Sequence, residues 1–160
     1  MASDRRRLDF LPGDQDACVS EGLAFTRAAL TDWHLTTTAA QAAADAVLVT
    51  AELLANAAQH AGGPSTLHLQ RSPGRLRIAV TDPDPAPPQP ARPHRPQVPH
   101  GHGLIIVDRI STDWGHTPDD HGKTVWADLS VPADADTTAR PDPGHARRAA
   151  LADPDPHLDN

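Results

Sequence analysis

Apolar residues recur at Val19, Leu23, Ala24, Ala28 and Leu30, close to helical spacing, so the pattern predicts a helix from Gln15 to about Trp33. Asp14, after the Pro12-Gly13 turn, stands where it can cap that helix. A longer Ala-rich run from Ala39 to Ala61 predicts a second helix. Thr36-Thr37-Thr38 offers its N-cap, and Gly62-Gly63-Pro64 stops it. The period then changes from helical to two. Thr66–Gln70 and Leu76–Val80 alternate apolar with polar around Ser72-Pro73-Gly74, which predicts an antiparallel hairpin ending at Thr81-Asp82. Leu8 and Phe10 flank Asp9 in the same way and predict a short strand near the start. Beyond Gly101-His102-Gly103, apolar residues at 104–107 and 110 predict a third helix, and Trp114–His116 a short strand. Gly122 to Val131 predicts a strand with Val125, Ala127 and Leu129 on one face and Thr124, Trp126 and Asp128 on the other. Packing these elements economically gives an α+β two-layer sandwich, with helices on one face of a mixed, mostly antiparallel sheet.

Composition sets the limits of that domain. The 160 residues suffice for one domain, and the hydrophobic share of 38% is low because polar segments interrupt and follow it. Seventeen prolines occur, and a dense run of them from Pro83 to Pro99 predicts a long, partly extended loop, a feature that is often functional. The organisation expected is a polar leader at 1–7, a folded domain at 8–131 with that loop inside it, and a disordered acidic, Pro-rich tail at 132–160. The formal net charge of −7 argues against a nucleic-acid binder, which usually shows a basic face. One cysteine, Cys18, allows no internal disulfide and reads as a small buried side chain. No apolar run follows the N-terminal arginines, so neither a signal peptide nor a membrane span is predicted, and the cytoplasm is the expected compartment.

Candidate chemistry sits on the second helix. Glu52, Asn56 and His60 are four residues apart and line one stripe of an otherwise apolar helix. On a generic helix such a stripe faces water. A neutral Asn oxygen also suits Mg²⁺, which shares its coordination with waters and substrate phosphates, and a Glu one turn away can act as a base. Asp82 ends an apolar strand and, as an acceptor-only group, can read an amino group; a turn-forming Asp before Pro is the plainer alternative. Gly101 and Gly103 allow close backbone approach to phosphate at a helix start. Gly122-Lys123-Thr124 opens the last strand and on its own reads as a hairpin turn.

Taken in order, four stretches resemble the histidine-kinase-like ATPase (GHKL, Bergerat-fold) superfamily, which groups gyrase-type, chaperone-type and histidine-kinase ATP-binding domains. They are Glu52-Leu53-Leu54-Ala55-Asn56, Val80-Thr81-Asp82, Gly101-His102-Gly103 and Gly122-Lys123-Thr124. Within the superfamily the chain looks most like the small anti-sigma-factor serine/threonine kinases and their regulatory relatives. That resemblance implies ATP and Mg²⁺ as cofactors. It assigns Asn56 to Mg²⁺, Glu52 to general-base or positioning work, Asp82 to the adenine amino group, and Thr124 to the adenine end. Gly101 and Gly103 would close an ATP lid spanning 83–100. It further implies a sigma factor or an anti-anti-sigma antagonist as partner, no direct nucleic acid and no membrane, and it allows a homodimer.

Three functional expectations follow. The first is a regulatory protein kinase that transfers phosphate to a partner's Ser or Thr. The second is a non-catalytic module that sequesters a partner, motivated by Asp82-Pro83-Asp84-Pro85 standing where the family carries two alternating glycines. The third, a metal-binding protein, is prompted by His94, His100, His102, His116 and His121, although their spacing fits no tetrahedral zinc pattern.

Overall fold

A computed structural model describes residues 3–88 and 103–133. The elements run β1 (Asp4–Asp9), α1 (Gln15–Asp32), α2 (Leu35–Thr38), α3 (Ala40–His60), β2 (Thr66–Ser72), β3 (Arg75–Asp82), α4 (Gly103–Ile110), β4 (Asp113–Asp119) and β5 (Gly122–Ser130). The five strands form one sheet in the order β1-β2-β3-β5-β4, and every pairing is antiparallel. The expected sandwich is therefore present, with a sheet that is antiparallel throughout rather than mixed. Of the Pro-rich loop, Pro83–Pro88 are described; Gly101 and the tail from 134 lie outside the described residues.

Alternation along the strands decides which face is covered. Leu67, Leu69, Leu76, Ile78, Val80, Val125, Ala127 and Leu129 are buried, while their strand neighbours are exposed or half-buried, except Asp128. Helix α3 packs on β3 and β5, and α1 and α4 flank it. On the opposite face Arg77 stacks over Trp126 at 4.2 Å and grips the buried Asp128 carboxylate with two bonds of 2.7 Å. Trp126 and Asp128 thus share the face that alternation assigned to them.

Three local expectations change. The buried stripe of α1 is Cys18, Gly22, Thr26, Ala29 and Leu30, whereas Ala24 and Ala28 are exposed. The helix is rotated because Gly22 admits α3: a Cβ there would overlap Leu54 Cδ1. The threonines do not cap α3. Thr37 and Thr38 turn their hydroxyls back to the His34 carbonyl at 3.0 and 2.8 Å and belong to α2, and Ala39 at the start of α3 makes no side-chain cap bond. Strand pairing also begins at Asp4, inside the polar leader. Arg6 lies 5.3 Å from the Trp33 ring centroid and pairs with Asp32 at 2.6 Å, while Trp33 Nε1 donates to Asp4 at 2.7 Å. The charged strand is thereby tied to the end of α1. Asp14 caps α1 as expected, accepting from the backbone N–H of Asp16 and Ala17. Cys18 is buried.

Candidate functional site

Chain connectivity brings the second half of α3 and the end of β3 to the same edge of the sheet. Only residues 61–65 separate His60 from Thr66, and Thr66 pairs with Thr81. The link is tight, since Ser65 N donates to the Thr81 carbonyl at 2.7 Å. Gly63 N reaches back to the Ala57 carbonyl at 3.0 Å, so the glycines stop α3 as their positions suggest. Asn56 and Asp82 therefore belong to one end of the molecule.

On α3, Glu52 and Asn56 are half-buried beside the fully buried Val49, Leu53 and Ala57. They sit one turn apart, about 6 Å along the axis. Neither side chain makes a hydrogen bond among the described residues. Burial raises the Glu52 pKa above the ordinary carboxylate value, because the partly desolvated site disfavours the charged form. His60, at the exposed helix end, does not share this environment. Gly103 opens α4, which packs against α3.

Asp82 and Lys123 form the polar heart of the site. They are paired across β3 and β5, and both point to the covered face of the sheet. Their side chains are 1% and 3% exposed, and Lys123 Nζ donates to Asp82 Oδ1 at 3.0 Å. Such burial of two charges is tolerated only where each is paired. Lys123 Nζ also donates to the Asp84 carbonyl at 2.9 Å. Asp84 N donates to Asp82 Oδ1 at 3.0 Å, and Ala86 N to Asp84 Oδ1 at 2.9 Å. Asp82-Pro83-Asp84-Pro85 thus folds as two successive Asx turns, each with proline in the position where a fixed φ suits the turn. Where glycines would have given the backbone freedom, this chain uses carboxylates and proline to fix it.

One atom of this cluster is left over. Asp82 Oδ2 is buried and has no hydrogen-bond partner among the described residues. An unsatisfied buried carboxylate oxygen costs free energy, and a ligand amino group would relieve it. The acceptor fits the exocyclic amine of adenine. The half-buried Asn56 oxygen fits a hard cation such as Mg²⁺.

Thr124 is not brought to this cluster. It follows Lys123, so its side chain lies on the opposite face of β5, where its hydroxyl meets Thr81 Oγ1 at 2.9 Å. The residue that faces Asp82 is Lys123, to which sequence reasoning gave no role. Its signal was present: Lys123 has the same parity as the buried Val125, Ala127 and Leu129. Gly122 is the second such residue. Its φ is 146°, and a Cβ there would overlap the Asp82 carbonyl oxygen and lie 2.7 Å from Pro83 Cα. Only glycine lets β5 approach the end of β3 this closely. Among the described residues no group of three His, Cys, Asp or Glu side chains could hold a metal ion; His94, His100 and His102 lie outside them. No helix there is long and apolar enough to cross a membrane.

No curated protein matches the chain. Residues 18–129 match the model of the histidine kinase-like ATPase domain, a span that runs from α1 through β5 and includes Glu52, Asn56, Asp82, Gly103 and Lys123. That match covers more than half of the 160 residues, and the antiparallel sheet backed by helices agrees with it, so the chain belongs to the histidine kinase-like ATPase domain family.

Proposed function

We propose that the protein is an ATP-binding regulatory protein of the anti-sigma-factor type, acting as a serine/threonine kinase on a partner protein. The observation that carries the ATP reading is Asp82 Oδ2, a buried acceptor at the end of β3 that has no donor among the described residues, in a chain of this family. It would accept from the adenine amino group. Asn56 would hold Mg²⁺, which when bound neutralises phosphate charge. Glu52 stands one turn from Asn56, and its raised pKa moves it toward the range in which a carboxylate serves as a base. It would accept the proton of a partner's Ser or Thr hydroxyl. Positioning and electrostatics supply most of the rate in phosphoryl transfer, so a small domain of this kind can suffice. A sigma factor would be the sequestered target and an antagonist protein the phosphate acceptor, in the cytoplasm.

Titration calorimetry with ATP, with and without Mg²⁺, tests the site. Asn56→Ala should abolish the Mg²⁺ dependence of binding; unchanged Mg-ATP binding in this variant rules out the assignment. Phosphate transfer is tested with radiolabelled ATP and proteins captured from the native cell. Glu52→Ala should retain ATP and lose transfer. A specific observation favours a second reading, a partner-sequestering module without turnover: the Asx-turn geometry of Asp82–Ala86 replaces the glycines of the family. ATP binding with no phosphorylated partner would leave that reading in place of the kinase.

A further inference from the structure

The buried pair Asp82–Lys123 has an asymmetry that its role as a structural ion pair does not require. Both described donors converge on one oxygen. Lys123 Nζ and Asp84 N each reach Asp82 Oδ1 at 3.0 Å, and Oδ2 receives no hydrogen bond among the described residues. The ammonium is itself held by its second bond to the Asp84 carbonyl at 2.9 Å. The β3–β5 register places it directly opposite Asp82, and Gly122 lets the two strand ends close together. Lys123, together with Asp84 N, therefore sets which way the carboxylate plane faces and which of its oxygens is left without a donor.

We propose that Lys123 is a positioning residue for base recognition, pinning one oxygen of Asp82 so that the other is presented to the exocyclic amine of a purine. The inference rests on the ATP-binding reading above and adds to it the residue that sets base selectivity. It makes an unusual prediction for Asp82→Asn. A carboxylate has two equivalent oxygens, but an amide has one acceptor and one donor end. The donors from Lys123 and Asp84 will hold the amide oxygen at the Oδ1 position. The NH₂ group then points where Oδ2 was, and it suits a carbonyl oxygen instead of an amine.

The test compares ATP with inosine triphosphate, whose base carries a carbonyl oxygen where adenine carries its amino group, by titration calorimetry on the full chain. The wild type should prefer ATP by about tenfold or more, since a mismatched buried polar pair leaves both groups unsatisfied. Asp82→Asn should reverse that preference. Asp82→Asn combined with Lys123→Met should move that reversed ratio back toward ATP by about threefold or more, because Asp84 N alone then holds the amide oxygen. An effect on stability alone would lower both affinities together and leave their ratio unmoved. The same ratio in Asp82→Asn with and without Lys123 overturns the proposal, as does an Asp82→Asn variant that still prefers ATP. If Asp82→Asn does not fold, since it leaves a buried ammonium without its counter-charge, Lys123→Met alone should reduce the ATP preference while Lys123→Arg keeps it. A wild-type ratio retained in Lys123→Met is then the refuting result. Failure of the site reading itself looks different: the wild type binds neither nucleotide, or binds both equally, and Lys123 then has no base to select.

Discussion

Replacing Gly122 with alanine tests the tightest contact in the candidate site. An added Cβ would overlap the Asp82 carbonyl oxygen and lie 2.7 and 2.8 Å from Pro83 Cα and C. All three atoms are backbone, so no rotamer change relieves the clash, and the Pro83 ring resists local adjustment of φ. The φ of 146° adds a conformational cost of about 1–3 kcal/mol for a residue with a side chain. Relief requires β5 to draw away from the end of β3, where Lys123 pairs with Asp82. Breaking a buried ion pair costs about 3–5 kcal/mol when one partner stays buried, and less when both reach water. We therefore expect a loss of about 3–5 kcal/mol in all, from the backbone strain plus partial loss of the pair. Urea unfolding followed by the fluorescence of the three tryptophans measures it. With a slope near 2 kcal/mol/M, the midpoint should fall by roughly 1.5–2.5 M. Gly74→Ala is the control. Gly74 has φ 77° with nothing within 4 Å of its would-be Cβ, so it carries the conformational cost without the collision. If Gly122→Ala loses no more stability than Gly74→Ala, the close approach of the two strand ends does not constrain the protein and the reasoning fails.

Two further outcomes follow from the packing and the electrostatics. Leu54→Ala removes a fully buried side chain that fills the space above Gly22, and should cost about 2–5 kcal/mol in the same unfolding assay. Glu52→Gln should stabilise the protein at neutral pH and not below about pH 4. Its folded pKa is raised above the ordinary 4.5, so the folded state holds the proton more tightly than the unfolded chain. Wild-type stability therefore declines as pH rises from the unfolded pKa through the folded one, and the glutamine, which cannot ionise, escapes that decline. Urea titrations at pH 4 and pH 7 check the sign; a glutamine variant less stable than wild type at pH 7 contradicts it.

Much of the fold is legible in local periodicity because each pattern reports its own element. The runs before Trp33 and between Ala39 and Ala61 have helical spacing, and both are helices. The alternating pair around Pro73-Gly74 is the β2–β3 hairpin, in register from Thr66↔Thr81 to Ser72↔Arg75. Other features depend on partners distant in sequence. Asp4–Asp9 carries three consecutive arginines and is a strand because β2 offers it a ladder and Trp33 offers Arg6 a ring. The stripe that α1 buries shares only Leu30 with the apolar pattern, since it includes Gly22, whose value lies in what it admits rather than in its own polarity.

The candidate site divides the same way. The sequence by itself determined which chemical groups are available: a Glu and an Asn one turn apart on an apolar helix, and an Asp at a strand end. Those are properties of residue type and helical period, and no packing is needed to read them. Only the tertiary structure decided that Lys123, and not Thr124, faces Asp82, because strand pairing joins residues 41 positions apart and its parity sends neighbours to opposite faces. The turn-forming role of Asp82 before proline was legible locally and is present as an Asx bond, whereas the tertiary structure decided that one carboxylate oxygen has no donor among the described residues. Local pattern sets which way a side chain points along its own element; Asp82 Oδ2 is left over because a local turn N–H and an ammonium 41 residues away converge on the oxygen beside it.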